Sequence, residues 1–198
     1  MLEYLEQHLP VPKAQNILNY LHKNNCSLRI SKPRKTKRGD FRVHRNKCAI
    51  SINRDTNSFR FLFTLIHEMA HLETFIQHKN AVKPHGTEWK INFKKLYYAF
   101  EIDEVFSIDK QVAQVVKKEL ENPKACSGID ILIERAFSTY DENKGNYLEQ
   151  VPDGGYFKFR SHTYQKLETR RTRVMCLNLA NNRKYTINRA TVVDLNYV

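Results

Sequence analysis

The chain has 198 residues and a strongly basic composition, with 33 Lys and Arg against 21 Asp and Glu and a net charge of +12. Hydrophobic residues make up 41% of it, which is enough for a folded core and argues against wholesale disorder. Its longest unbroken apolar run, residues 96–100, is far shorter than the roughly 20 residues of a membrane-spanning helix. We therefore expect no membrane association, and the charge favours a polyanionic partner.

The N-terminus and the cysteines indicate the cellular compartment. Residues 1–6 lack the basic and apolar regions of a signal peptide. Cys26, Cys48, Cys126 and Cys176 stand far apart and form no CxxC pair. We expect reduced thiols and an intracellular, cytoplasmic protein, for which association with the nucleoid is one option. The wide spacing also excludes an ordinary four-cysteine zinc ribbon.

The first part of the chain is predicted to form helix and then strands. Apolar residues repeat at helical spacing over 2–24, with an interruption at two prolines. Short strands are predicted over 27–31, 41–45 and 48–53. The intervening residues 32–40 are interpreted as a polar loop or hairpin tip, in which proline and glycine make the turns.

The middle of the chain is predicted to be helical. Candidate capping residues precede a helix over about 57–78, and a loop over 79–86 contains proline and glycine. A second helix is predicted from Thr87 to about Phe100, and a third from Phe106 to Glu121. Asn-Pro at 122–123 would end the third helix.

From Tyr147 onward the pattern changes to short runs of Tyr, Phe, Val and Thr separated by turn residues. This pattern predicts a small antiparallel sheet or barrel. We therefore divide the chain into a first domain over 1–122, a connecting segment with one short helix over 123–146, and a small basic β module over 147–198.

One motif carries clear chemistry, the HExxH sequence of His67 to His71. Residues four apart lie on one face of a helix, so both imidazoles can reach one metal ion. Glu68 is turned away by about 100° and can reach a water on that ion without being a ligand. The pattern is typical of a zinc hydrolase in which the glutamate is the general base.

A catalytic zinc usually has a third protein ligand. His78 is excluded because it lies roughly 16 Å along a straight helix from His67. Glu101 and Glu104 are nominal candidates on a later helix. His85 is the best candidate, because it follows a loop that can fold back and precedes Gly86 and a helix start.

Three segments together resemble the SprT-like metallopeptidases, which include the Spartan-type proteases that degrade proteins crosslinked to DNA. They are Ile50-Ser-Ile-Asn53, Leu65-Ile-His-Glu-Met-Ala-His71 and His85-Gly-Thr-Glu-Trp-Lys90. The resemblance covers residues 11–105. It implies one Zn²⁺ held by His67, His71 and His85, with Glu68 as general base and Trp89 packing the following helix. The chain departs from the family in lacking the cysteine zinc ribbon of many members and in having Pro84 where glycine is frequent.

The predicted elements and this resemblance together imply an α+β fold. We expect a mainly helical zincin-type metallopeptidase domain with a small antiparallel sheet. A small C-terminal β-barrel-like module is expected to follow it.

Two basic segments are candidate contacts for nucleic acid. One lies among the first three predicted strands, and the other is interleaved with aromatic residues in the C-terminal module. Cations on phosphates and rings on bases give sequence-tolerant binding. The alternative is that these residues are the solvated face of half-buried strands. The candidates are Arg34, Lys35, Lys37, Arg38, Arg42, Arg45, Arg170, Arg171 and Arg173.

The favoured function is a zinc endopeptidase that acts on DNA-associated proteins and binds single-stranded or damaged DNA with low sequence specificity. The strand over 48–53 is expected to pair with an extended substrate. One alternative is a non-proteolytic nucleic-acid-binding protein with a structural zinc. Another is a zinc hydrolase of small amides, which a narrow pocket would favour over an open groove.

Overall fold

The computed structural model describes residues 1–34, 37–45, 47–54, 56–124, 131–141 and 145–195. The chain forms two compact units, Met1–Ala125 and Cys126–Val198. Parts of the predicted connecting segment, 125–130 and 142–144, lie outside the described residues. Within the described ranges no helix has the length and apolar character needed to cross a bilayer.

The first unit contains six helices and three strands among its described residues. The helices are α1 (Leu2–Leu5), α2 (Val11–Lys23), α3 (Ser58–His78), α4 (Thr87–Ala99), α5 (Ile102–Phe106) and α6 (Lys110–Glu121). The strands are β1 (Cys26–Ser31), β2 (Gly39–His44) and β3 (Lys47–Asn53). The helix predicted over 106–121 begins later, at Lys110, because Asp109 caps α6 by accepting from the backbone N–H groups of Gln111 and Val112, and Phe106 instead ends the short helix α5.

The sheet of this unit has the order β1-β3-β2. The expected antiparallel pairing is present between β2 and β3, where Phe41 lies opposite Ile50. The other pair is parallel, with Cys26 opposite Cys48, so the sheet is mixed. The chain leaves β1, forms β2 at the far edge and returns as β3 in the middle. The central strand is therefore paired on both sides.

Helix α3 is the centre of the first unit. It begins where the Asn57 side chain accepts the Arg60 backbone N–H, and it ends at Lys79, which has a positive φ of 54°. It packs against β2 and β3 on one side and against α4 on another. Its apolar residues point in nearly all directions, as expected of a helix enclosed by other elements. The predicted helix over 57–78 is confirmed.

The second unit contains one α-helix, α7 (Ile131–Ser138), a short 3-10 helix (Leu148–Gln150) and six strands among its described residues. The strands are β4 (Asn146–Tyr147), β5 (Tyr156–Phe159), β6 (His162–Thr169), β7 (Arg173–Asn178), β8 (Arg183–Asn188) and β9 (Val192–Val193). An antiparallel sheet has the order β5-β6-β7-β8, and β4 pairs with β9. Lys158 and Asp194 exchange backbone hydrogen bonds, which joins β5 to the residue after β9.

The predicted barrel-like closure of this unit is wrong in the described part of the chain. Its core includes Phe157, Val174, Cys176 and Ile187 on one face of the sheet. The last long strand, β8, is exposed along most of its length and pairs with β7 alone. Since β4 and β9 are only two residues each, too little paired backbone is present to close the sheet on itself.

Candidate metal centre

Helix α3 presents the two histidines of the HExxH motif on one face. His67 and His71 are one turn apart, with ring centroids separated by 5.1 Å. Both rings are half-buried, whereas Glu68 between them is buried. The local geometry follows from the helical period, which is why the sequence could predict it.

His85 lies between α3 and α4 and completes the group. Its Nε2 is 2.9 Å from Nε2 of His71 and 3.2 Å from Nε2 of His67. It has a positive φ of 58°, an uncommon conformation for a residue with a Cβ, and the next residue, Gly86, closes a turn by donating to the Lys83 carbonyl. The structure therefore brings the three predicted histidines together.

The other residues considered as third ligand lie elsewhere. Glu101 and Glu104 both accept from Lys13 Nζ, at 2.7 and 2.6 Å, and both are exposed. His78 is not part of the histidine group. In the described residues the group that can hold a metal ion consists of three histidines, whose ligand atoms lie within 4.8 Å of one another.

Trp89 forms the apolar wall of the group. It is fully buried, and its ring centroid is 4.7 Å from those of His67 and His85 and 5.4 Å from that of His71. Its Nε1 donates to the His67 carbonyl at 3.4 Å, and its ring stacks on Phe93 at 5.2 Å. Trp89 lies in the first turn of α4, and it packs this helix against all three histidines.

The environment keeps the three imidazoles neutral. Burial, reinforced by the neighbouring imidazoles, lowers the pKa of His67 to about 3, and burial with the adjacent His85 lowers the pKa of His71 to about 4. Burial also lowers the pKa of His85. Neutral imidazole is the form that binds a metal.

The spacing of the nitrogens fits a zinc ion. Two nitrogens bound at roughly 2.0–2.1 Å in a tetrahedral site are separated by about 3.3 Å. The two Nε2 distances from His85, 2.9 and 3.2 Å, are close to this value. Three imidazoles leave a tetrahedral ion one position for water or substrate, as in catalytic zinc sites.

The carboxyl group of Glu68 lies against the edge strand β2. Burial, with the charge of Asp40 adding to it, raises the pKa of Glu68 to about 8. A hydrogen bond from the Phe41 backbone N–H opposes this shift, as do the charges of Arg34 and Lys37. A cation held by the histidines would bring this raised pKa down again and so favour the carboxylate form of Glu68.

Gly39 is a site residue that the sequence interpretation missed. The sequence pattern predicts a turn maker in a polar loop at this position, but Gly39 is the first residue of β2 and lies directly against Glu68. The only signal in the sequence was a glycine immediately before an alternating segment, which is typical of a close backbone approach as well as of a turn.

The expected pairing of the strand over 48–53 with a substrate is wrong. That strand is β3, which pairs with β1 and β2 on its two sides and has no free edge. The edge strand beside Glu68 is β2. Strand order depends on contacts distant in sequence, so the local pattern did not reveal it.

Arg34 of the first basic segment is turned inward. Its Nε donates to Asn53 Oδ1 at 2.8 Å, and its other nitrogens donate to Ser51 Oγ at 3.0 Å and to the Ser51 carbonyl at 3.1 Å. Lys37 pairs with Asp40 at 2.7 Å. These contacts hold the chain before β2 rather than leaving Arg34 free for a partner.

The remaining candidates of the first segment differ in exposure. Arg38 is half-buried, and its carbonyl accepts the Asn53 backbone N–H at 2.8 Å. Arg42 also pairs with Asp40, but 71% of its side chain is exposed. Arg45 is exposed. Lys35 lies outside the described residues.

The second basic segment forms the turn between β6 and β7. Arg170, Arg171 and Arg173 are exposed there, and the Arg170 N–H closes the turn on the Arg173 carbonyl at 2.7 Å. Of the interleaved aromatic residues, Phe157 and Tyr164 are buried, whereas 46% of Tyr156 is exposed. Most of these rings build the core of the unit, as the alternative interpretation of this segment expected.

Comparisons with known proteins bear on the first unit. The model of the SprT-like family matches residues 11–111, a range that includes the three histidines, Glu68 and Trp89. No curated protein and no solved structure matches the chain. The family is associated with zinc and with metallopeptidase-like activity, in agreement with the geometry of the histidine group. Since the match spans just over half of the sequence, the chain belongs to the SprT-like family.

Proposed function

We propose that the protein is a zinc-dependent endopeptidase with Glu68 as its general base. One observation carries the proposal: three neutral imidazoles converge on one point from α3 and the loop after it, beside a buried glutamate on the same helix. His67, His71 and His85 would hold one zinc ion. Membership of the SprT-like family supports the assignment.

Each residue of the site has a separate role in the proposed hydrolysis. A zinc ion held by the three histidines would act as a Lewis acid that polarises the scissile carbonyl, and it would lower the pKa of a water to about 7. Glu68 takes a proton from the attacking water and gives it to the leaving amine. Trp89 and Phe93 exclude water from one side of the histidines, since both are buried against them.

The edge of β2 supports an extended peptide as the substrate. The Asn53 N–H donates to the Arg38 carbonyl, so alternate residues of the strand after Arg38 bond to β3. The outward-facing backbone groups of the strand belong to the intervening residues Gly39, Phe41 and Val43. Since the Phe41 N–H donates to Glu68, a substrate would pair with the other groups of this edge. A strand edge beside the base fits backbone pairing with a polypeptide, whereas a small amide has no extended backbone that could pair with the strand.

A structural zinc fits the site less well. Structural zinc sites are closed by four protein ligands. Among the described residues the group has three histidines and no cysteine or carboxylate as a fourth member. An open position favours the hydrolase over a non-proteolytic protein with a structural zinc.

We further propose DNA-associated proteins as the substrates. Ile50 of β3 is buried, so its face of the sheet packs against the core. Ala49 and Ser51 lie on the opposite face, together with the residues paired with them on β1 and β2. Arg29 and Arg42 lie on that face and are exposed. A basic face on the sheet that borders the site would hold DNA, single-stranded or damaged, near the place of cleavage.

The test is cleavage of casein by the zinc-loaded protein and by its Glu68→Gln variant. Loss of a general base predicts a fall of about 10²- to 10⁴-fold in rate, with zinc content and melting temperature retained. Glu73→Gln is the matched control on the same helix, because an amide still bonds to Tyr20 and Gln77. Cleavage by Glu68→Gln at the wild-type rate would contradict the assignment.

The DNA proposal has its own measurement. Cleavage of a DNA-binding protein is followed with and without single-stranded DNA over a series of salt concentrations. We expect DNA to accelerate cleavage at low salt and to lose this effect as salt rises. An unchanged rate at low salt would remove the coupling while leaving the peptidase assignment intact.

A further inference from the structure

Gly39 is the point at which β2 comes closest to α3. A Cβ placed on Gly39 would overlap Glu68 Oε1, and it would lie 2.8 Å from Glu68 Cγ and 2.6 Å from Thr64 Cγ2. Carbon atoms that are not bonded to each other do not approach so closely. Any side chain at position 39 therefore requires Thr64, Glu68 or the start of β2 itself to shift.

Of these neighbours, Glu68 is the one that can move. The hydroxyl of Thr64 donates to the Arg60 carbonyl at 2.8 Å, and the Thr64 side chain is buried, so its orientation is fixed. Glu68 has a longer side chain with three rotatable bonds. The absence of a side chain at Gly39 thus leaves the space that the Glu68 carboxyl group occupies.

The same strand also bonds directly to the carboxyl group. The Phe41 backbone N–H donates to Glu68. This N–H points away from β3, because Arg38 and alternate residues after it bond to β3. Gly39 supplies the space and Phe41 supplies a donor, so the position of β2 along α3 determines where the carboxyl group lies.

A hydrogen-bonded group fixes the start of β2, and we call it the Asn53–Arg34 clamp. Asn53 is 2% exposed, and its Nδ2 donates to the carbonyls of Arg34 and Lys37, both at 3.2 Å. Its Oδ1 accepts from Arg34 Nε at 2.8 Å, and Arg34 also bonds to Ser51 on β3. The clamp ties the residues that precede Gly39 to the end of the central strand.

We propose that β2 positions the general base, with Gly39 as a positioning residue for Glu68 and the clamp as its support. The inference rests on the proposed function, since it concerns the geometry of the residue that acts there as base. It assigns Arg34 a role inside the fold in place of contact with nucleic acid.

The first test is the Gly39→Ala variant, assayed on a peptide without DNA. Displacing a catalytic group by about 1 Å lowers the rate by up to about 100-fold, so we expect a fall in kcat of about 10- to 100-fold with KM and zinc affinity retained. In a Glu68→Gln background the same change should have no further effect, because the group it displaces no longer acts. An additional loss in that background would overturn the proposal.

A crystal structure of the zinc-loaded Gly39→Ala protein gives a readout that does not depend on activity. The proposal predicts a displaced Glu68 carboxyl group and unchanged histidines. An unmoved Glu68 would overturn it. If the wild-type protein cleaves no peptide, the proposed function fails, and this structure still decides the inference.

The clamp is tested with Arg34→Ala in the same assay without DNA. We expect kcat to fall about 10-fold or more, because the support of Gly39 is lost. Arg34→Lys should restore little of it, since an ammonium cannot make the several directed bonds of the guanidinium. Arg54→Ala, an exposed neighbour of the clamp, is the control and should keep the wild-type rate. An Arg34→Ala protein with full activity on peptide would contradict the clamp and return Arg34 to the candidate DNA contacts.

Discussion

The two units use their buried polar side chains differently. In the first unit three imidazole nitrogens face one another beside Trp89, and a buried Glu68 lies on the same helix. In the second unit the buried Lys166 donates to the carbonyls of Glu149 and Val151, at 3.2 and 2.6 Å.

Glu149 itself pairs with Arg135 and Arg189. The polar groups of the second unit therefore satisfy its own turns. In the first unit some buried polar groups, such as Asn53, also bond to the backbone, but the three imidazoles converge on a position that a metal ion would satisfy. A buried polar residue indicates chemistry when the fold leaves part of its bonding capacity free for a ligand.

The largest effect is expected from removing one member of the histidine group. Loss of a residue that hydrogen-bonds to a metal ligand lowers metal affinity by about 10- to 100-fold. His85→Ala removes a ligand itself, so zinc affinity should fall by more than this, and cleavage should fall to background. Chelator competition and a casein assay measure the two effects. His78→Ala, also a histidine but outside the group, is the control and should behave like the wild type.

A His85→Ala protein with wild-type zinc affinity would contradict the contrast between the two units, because the three histidines of the first unit would then not be the metal site. Loss of cleavage with zinc fully retained would show that His85 is needed for cleavage but is not a zinc ligand. Both outcomes are distinguishable by measuring zinc content and rate on the same preparation.

An intermediate effect, on stability alone, is expected from Lys166→Met in the second unit. The change leaves the carbonyls of buried Val151 and half-buried Glu149 without this donor and removes the ion pair with Asp153, which costs about 1–3 kcal/mol in the free energy of unfolding. Cleavage of a peptide without DNA should be unchanged. Lys184→Met, at an exposed position on β8, is the matched control. A fall in kcat without a change in stability would show that the second unit contributes to the chemistry.

The smallest effect is expected from single exposed arginines, and it compares the two basic segments. Removing one phosphate contact should weaken DNA binding uniformly across sequences and reduce the slope of log K against log salt by about 1. Arg42→Ala tests the first segment and Arg171→Ala the second, both by fluorescence anisotropy. The segment whose substitution leaves both the affinity and the slope unchanged does not contact DNA.

How far the sequence predicts the structure depends on the range of the interactions involved. Helix α3 and the common face of His67 and His71 follow from the helical period, and the structure has both. The fold-back of His85 was also expected, because Gly86 and a helix start follow it. These are local features, and local patterns specify them.

The missed features depend on strand order and packing. Nothing in the residues near β3 shows that β1 and β2 occupy its two sides, so its free edge was expected wrongly. Gly39 looked like a turn residue because its constraint comes from Glu68, distant in sequence. Arg34 looked like a surface cation because its partners lie on β3. The expected barrel was wrong for the same reason, since closure depends on pairing between distant strands, which the pattern of a short segment does not reveal.

X-ray absorption at the zinc edge of the purified protein identifies the ligands of the metal. We expect one zinc per chain with three imidazole nitrogens at roughly 2.0–2.1 Å, an oxygen in the remaining position and no sulfur. The same spectrum for His85→Ala should have lost one imidazole. A sulfur ligand, or a fourth protein ligand that closes the site, would contradict a catalytic zinc held by His67, His71 and His85.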